Sequence, residues 1–318
     1  MRLLPFRFFN LLAFQLFRIV SLSCRLVVLL SEFARIPFAN ANLVRIPDEV
    51  TDDQAILVSD IFPTGYFGAD LAQIHDGDVV TVFGCGPVGQ FAIASAFLFN
   101  ASRVIAVDTL PDRLEMARDQ GAEIVDFNAE NPVEAIKELT DGTGADRVID
   151  AVGVDAEPPQ RGPSAGQSDP ELFEQELKKI APHTNSRGNL WKPGRAPSQV
   201  LQWAVESVCK AGTVAGIGVY PETMIWFPFG PAMEKNLTIQ AGNCNHRRYI
   251  PDLLRIIRGG VTLPEKILTK REPLVSAIEA FQSFDLRKSG WMKVELPPQE
   301  DGAMNETRLA AAVGRAGR

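Results

Sequence analysis

Cysteine and histidine are scarce in this sequence, with four cysteines and three histidines among 318 residues. Cys24, Cys85, Cys209 and Cys244 lie far apart and form no Cys-x-x-Cys pair, so spacing supports neither a disulfide framework nor a cysteine zinc cluster. A reducing compartment, the cytoplasm by default, follows from that usage. Acidic residues are missing from the first thirty positions, which hold Arg2, Arg7, Arg18 and Arg25 and carry +4, leaving −11 on the other 288 residues. The overall balance of −7 excludes a protein whose main task is to coat nucleic acid.

An unbroken apolar run is lacking too. Residues 8–30 are rich in Phe, Leu, Ile and Val, but Arg18 and Arg25 interrupt them. Each apolar residue favours membrane insertion by about 0.3 to 0.6 kcal/mol and each arginine opposes it by about 2.5 to 3.5 kcal/mol, so the sum is close to balance. Several readings stay open for residues 1–30: a membrane-associated segment, a secretory signal with a small-x-small site at Ser21-Leu22-Ser23, a mitochondrial transit peptide, or an atypical start joined to an unrelated body by a gene-model error or alternative splicing. What remains is ample for folding. Hydrophobic residues make up 46% of the chain, and its length suits two domains of roughly 100 to 200 residues. A disordered protein and a disulfide miniprotein are excluded, and no internal repeat is present.

From about Asp76 short β-branched runs alternate with helical stretches, as in a parallel sheet covered on both faces. Strands are predicted at 78–84, 103–108, 123–127, 147–152, 213–219 and 237–241. Helices are predicted between them at 88–99, 111–120, 132–139 and 198–211, on apolar spacings of three and four. This is an α/β fold with a doubly wound, six-stranded parallel sheet of the Rossmann type. Residues 155–197, dense in Pro, Gly, Ser and charge, are too long for an ordinary connection of roughly 2 to 6 residues and form a functional or mobile insertion. Helices at 250–258 and 274–284 and a strand at 291–296 follow, and the polar tail at 299–318 reads as disordered.

Gly84-Cys85-Gly86-Pro87-Val88-Gly89 follows a predicted strand and opens a predicted helix, the context that turns a weak glycine pattern into a dinucleotide-binding signal. Gly84 permits the tight turn, Gly86 lets a pyrophosphate approach the backbone, and Gly89 lets the helix lie close on the strand. Pro87 and Val88 open the helix whose N-terminal amides face the anion. Nineteen residues beyond Gly89 stands Asp108, where a carboxylate accepts both ribose hydroxyls of NAD and repels the 2′-phosphate of NADP. An unrelated glycine-rich turn is the competing reading, and loop, helix and acid together disfavour it.

Over residues 31–298 these motifs resemble the medium-chain, zinc-dependent alcohol dehydrogenase family. The resemblance is carried by Asn42-Leu43-Val44-Arg45-Ile46-Pro47, Asp60-Ile61-Phe62-Pro63-Thr64-Gly65-Tyr66, the glycine loop and the stretch 108–118. With the insertion and Gly242-Asn243-Cys244-Asn245-His246-Arg247, it is similar to the glutathione-independent formaldehyde dehydrogenase branch. The resemblance implies a Rossmann domain at 62–243 flanked by remnants of a GroES-like catalytic domain at 31–61 and 244–298. It implies that Asp60 stands at an acidic zinc-ligand position, that Thr64 packs beside the nicotinamide, and that Arg113 lies by the adenosine. It further places Gly218 and Val219 along the nicotinamide pocket and Lys293 near the pyrophosphate. The insertion would cover bound NAD, and the last sheet strand would meet its mate in a homo-oligomer.

The family's upstream lobe supplies a Cys ligand, a Gly-His-Glu segment and a proton relay, and the resemblance here covers only the Asp60 position. One carboxylate does not hold a catalytic zinc, which takes three protein ligands and an open site. His75, His183 and His246 have no second ligand at helical or turn spacing and read as solvated or packed. An exposed apolar surface is expected where that lobe would lie, around 31–47 and Trp291. Two functions stay open: an NAD-dependent oxidoreductase of the alcohol or formaldehyde dehydrogenase type acting on a small alcohol or aldehyde, and an NAD-binding protein without turnover. Zinc-free quinone reduction is disfavoured by Asp108, because such relatives commonly prefer NADP.

Overall fold

The computed structural model describes residues 43–166, 169–181 and 193–297. Residues 1–42, His183 and the tail at 299–318 lie outside the described residues. Two helices come first, α1 (Asp52–Leu57) and α2 (Ile61–Ala72). The sheet then builds as β1 (Val79–Phe83), α3 (Pro87–Leu98), β2 (Arg103–Asp108), α4 (Pro111–Asp119), β3 (Glu123–Asp126), α5 (Pro132–Leu139) and β4 (Ala145–Asp150). After the insertion helix α6 (Pro170–Ile180) it continues with α7 (Gln199–Ser207), β5 (Val208–Gly216), α8 (Phe229–Glu234) and β6 (Thr238–Ala241).

All six strands run parallel in the order β3-β2-β1-β4-β5-β6. Side chains alternate between the two faces with the period-two pleat. Val80, Val82, Val104, Ala106, Ile149 and Ala215 pack with Ala69, Ala92, Ile93 and Leu114 from α2, α3 and α4. Ile105, Val107, Val148 and Val214 pack on the other face with Ile136, Val200 and Trp203 from α5 and α7. Each fully buried Val, Leu or Ile among them contributes about 1.5 to 3 kcal/mol, so covering both faces fixes the layer order. The chain reverses direction across the sheet at β1, whose neighbours are β2 and β4, and this opens a crevice at the carboxyl ends of those strands.

Beyond the sheet come α9 (His246–Arg258), β7 (Lys270–Arg271), α10 (Ala277–Asp285) and β8 (Val294–Glu295), with β7 and β8 paired in parallel. A separate core joins α1, α2 and α9 through Leu57, Ile61, Phe62, Leu253 and Ile257. No helix among the described residues is long and apolar enough to cross a membrane.

Several boundaries differ from expectation. The helix expected at 198–211 stops at Ser207, because Val208 already pairs with Ala145. The register then shifts between Ala145 and Arg147, while Ala211 adopts φ 60°, and this kink is what hid the early strand. Helix α9 begins four residues before the expected Ile250 and carries Pro251 inside it. The strand expected at 291–296 narrows to Val294–Glu295.

Residues 155–166, 169–181 and 193–197 of the insertion are described. Gly194 N–H donates to the Val154 carbonyl at 2.9 Å and Ala196 N–H to Ala156 at 3.0 Å, so the segment leaves and returns through one neck. Its first limb reaches the β3 exit, where Asn128 Oδ1 accepts the Gln160 amide at 2.7 Å. Among the large apolar side chains that stand exposed are Ile225, Phe229 and Met233 in the segment before β6, Ile239 on β6, and Val275, Ile278 and Leu286 around α10. The last three flank the small cluster that contains Trp291.

Candidate functional site

Gly84 follows β1 at φ +87°, a left-handed backbone that favours glycine. Its amide donates to the Val107 carbonyl at 2.8 Å, which holds the loop beside the end of β2. A Cβ on Gly89 would lie 1.7 Å from the Gly84 carbonyl oxygen, so α3 approaches the strand as closely as backbone allows. Gly86 caps α3 and Pro87 is its first residue. The unbonded amides of that first turn therefore point out of the crevice floor toward any anion placed there.

Asp108 ends β2 with 8% exposure. Its Oδ1 accepts Thr109 N at 2.7 Å and Leu110 N at 3.0 Å, and its Oδ2 accepts Cys85 N at 2.8 Å. An ionised carboxylate offers about four lone-pair sites, so acceptor capacity remains for a ligand hydroxyl. Arg113 Nη1 lies 3.9 Å from Asp108 Oδ2, and the guanidinium stands 3.5 Å from where a Gly86 Cβ would be. Loop, acid and arginine thus meet at one place.

Gln90 was missed by sequence reasoning. Buried on α3, it donates through Nε2 to the carbonyls of Cys85 and Arg113, each at 2.9 Å, and so clamps the loop to α4. A polar residue one position after the last loop glycine, on an otherwise apolar helix face, was the available signal.

A second cluster forms where α2 and α9 begin. Asp60, the N-cap of α2, accepts Thr64 Oγ1–H through Oδ1 at 3.1 Å, and His246 Nε2 lies 3.0 Å from the same oxygen. Thr64 Oγ1 also donates to the Asp60 carbonyl at 2.8 Å and sits 3.3 Å from His246 Nε2. Burial pushes the Asp60 carboxyl up, but the His246 bond and charge, together with Lys293 and Thr64, outweigh it and hold it below the usual carboxylate range. Lys293, 2% exposed, is pushed down to about 8 by burial, with Asp60 opposing. Burial and the Asp60 charge raise the Cys244 thiol to about 12, and its Sγ donates to the Pro63 carbonyl at 3.4 Å.

His246 was expected to be solvated or packed, and the fold instead brings it to Asp60 from 186 residues away. No spacing rule reaches that far. Even so, a zinc ion does not fit here. Among the described residues no group of three His, Cys, Asp or Glu side chains is placed to hold a metal, and the Cys244 thiol is turned to a carbonyl. Gly218 and Val219 lie at the exit of β5, crossing the exit of β4.

The zinc-binding dehydrogenase family pattern matches residues 87–158. The uncharacterized zinc-type alcohol dehydrogenase-like protein AdhB of Bacillus subtilis (strain 168) is 35% identical over 272 residues, covering 84% of this chain and 66% of that protein. The glutathione-independent formaldehyde dehydrogenase of Pseudomonas aeruginosa (strain LESB58) is 34% identical over 190 residues, covering 58% of this chain and 46% of that protein. Among solved structures, alcohol dehydrogenase TADH from Thermus sp. ATN1 superposes with a TM-score of 0.67 at 30% identity, covering 85% of this chain and 65% of that one. The chain spans about two thirds or less of the length of these relatives.

Proposed function

Because the chain belongs to the medium-chain, zinc-type alcohol dehydrogenase family, we propose that it binds NAD in the crevice at the carboxyl ends of β1, β2 and β4. The observation that carries this reading is the convergence of the glycine loop, Asp108 and Arg113 within contact distance of one another. The first-turn amides of α3 at Val88 and Gly89 take the pyrophosphate, and the helix dipole adds to them. Asp108 accepts the adenosine ribose hydroxyls, and Arg113 flanks the adenosine. Gly218 and Val219 line the nicotinamide pocket with Thr64 beside it, and Lys293 completes the charge near the pyrophosphate. Bound NAD supplies a hydride acceptor. The insertion covers the cofactor, a reading supported by its two anchors, the neck and the Asn128 bond, with Arg161 3.9 Å from Asp126.

The activity we assign is NAD-dependent oxidoreduction of a small alcohol or aldehyde. A second reading, an NAD-binding protein without turnover, is favoured by the donor set around Asp60, where no three His, Cys, Asp or Glu side chains among the described residues are grouped to hold a metal. A second copy docking along β6 accounts for the exposed Ile239 edge and its apolar neighbours.

Titration calorimetry on the full chain tests the first step. NADH is expected to bind, and Asp108→Ala to weaken it about tenfold or more, since losing hydrogen bonds to a charged acceptor typically costs about 1.5 to 3 kcal/mol. Unchanged affinity in that variant would sink the ribose assignment. Zinc content near one per chain with alcohol-dependent NADH formation selects the oxidoreductase; tight NADH binding with neither selects the second reading.

A further inference from the structure

The exit turns of β4 and β5 cross with almost no space between them. A Cβ on Gly218 would lie 2.2 Å from the Gly153 amide nitrogen, and one on Gly153, at φ +69°, would lie 2.4 Å from the amide nitrogen of Val219. Glycine on both sides leaves the crossing without side chains to hold it. Asp150, fully buried at the end of β4, does the holding. Its carbonyl accepts Ile217 N at 3.0 Å and Gly218 N at 2.9 Å. Its Oδ1 accepts Val152 N at 2.9 Å and Gly153 N at 3.0 Å. Its Oδ2 accepts the Tyr220 hydroxyl at 2.6 Å, and Val154 N closes the crossing by donating to the Val219 carbonyl at 3.0 Å.

Every one of these donors is a backbone amide except Tyr220. A buried carboxylate that loses its hydroxyl partner turns toward another donor or takes up a proton, because a charge left short of hydrogen bonds in a low-dielectric interior is costly, and either response changes what it offers the turn amides. The donors available are the amides of the two turns, so the turns move with the carboxylate.

We infer that Tyr220 is a positioning residue for the nicotinamide half of the dinucleotide, acting through Asp150 to fix the backbone of Gly218 and Val219. This rests on the proposed NAD site, in which those two residues form the nicotinamide wall. The groups assigned to the adenosine half, Asp108 and Arg113, lie at the end of β2 and on α4, and Asp150 bonds to neither. The two halves of the ligand therefore report separately.

The test is Tyr220→Phe in the full chain, titrated with NADH and with ADP-ribose, which lacks the nicotinamide. NADH affinity is expected to fall about tenfold while ADP-ribose binds as in the parent. Tyr249→Phe is the control: it removes another tyrosine–aspartate bond, Tyr249 to Asp70 at 2.7 Å, and is expected to lower Tm with both ligands unaffected. Should Tyr220→Phe fail to fold, Asp150→Asn keeps an acceptor for the turn amides and is expected to show the same asymmetry. Equal losses for both ligands, or none for NADH, would overturn the inference while leaving the NAD site standing. A parent chain that binds neither ligand overturns both.

Discussion

At Gly89 the sequence and the structure make the same demand. A methyl group there would meet the Gly84 carbonyl at 1.7 Å, and no flexible side chain is available to yield. Gly89→Ala is expected to abolish NADH binding and to lower stability by about 1 to 3 kcal/mol, the usual cost of overpacking, measured by calorimetry and chemical denaturation. A variant with parental affinity and Tm would show that the loop relaxes freely. This part of the site was legible because its requirements are local: a left-handed turn, a close approach and a helix start all fall within six consecutive residues. Asp108 was legible for the same reason, standing one strand further on. The Asp60–His246 contact was not, since it depends on how α9 folds back over α2, and the Asp150–Tyr220 bond depends on two crossovers lying side by side.

The insertion shows the same division among elements. Its composition marked it as extra to the sheet, but the helix inside it went unread because its apolar face is short. Helix α6 is capped by Asp169, which accepts Glu171 N at 3.1 Å and Leu172 N at 3.0 Å. It presents Phe173, Glu176 and Ile180 as its buried positions. Glu176 is an acid on that buried face, where an apolar residue was to be expected. It accepts Ser198 N–H at 3.1 Å and the Ser198 hydroxyl at 2.5 Å, tying the insertion to the start of α7.

Burial pushes the Glu176 carboxyl above its ordinary value, and the two Ser198 bonds only partly oppose this. The folded chain therefore holds that proton more readily than the unfolded one, so the contribution of Glu176 to stability falls as pH rises through the carboxylate range. Glu176→Gln keeps a carbonyl for the Ser198 amide and loses the charge. It is expected to raise Tm at pH 7, with the gain shrinking as pH falls toward about 4, near the unperturbed glutamate value. A gain independent of pH would assign the effect to packing. The helices expected at 88–99, 111–120 and 132–139 correspond to α3, α4 and α5 within a residue or two, because each begins at a proline that sits at a first helical turn. The helix before β5 had no such stop signal and ran on into the strand.

At the largest scale, β6 is an edge of the sheet among the described residues, with Ile239 exposed on it and Ile225, Phe229 and Met233 exposed in the segment that precedes it. Open edges with apolar neighbours invite pairing. Sedimentation of the purified chain is expected to give a dimer, and Ile239→Lys, which sets a charge on that edge, is expected to give a monomer with NADH affinity unchanged. A parent chain that sediments as a monomer at all concentrations would rule out the edge as an interface.

The strand order also carries a consequence for synthesis. Val80 pairs with Val104 on one side and with Arg147 on the other. A growing chain can therefore seat β1 against β2 soon after both emerge, whereas the opposite flank of β1 stays bare until β4 has been made. Contacts that close over long sequence separations form late and leave apolar edges open in the meantime. The flank left waiting is the one that borders the proposed nicotinamide pocket. Folding in that order would complete the proposed adenosine-binding half first and the proposed nicotinamide half last.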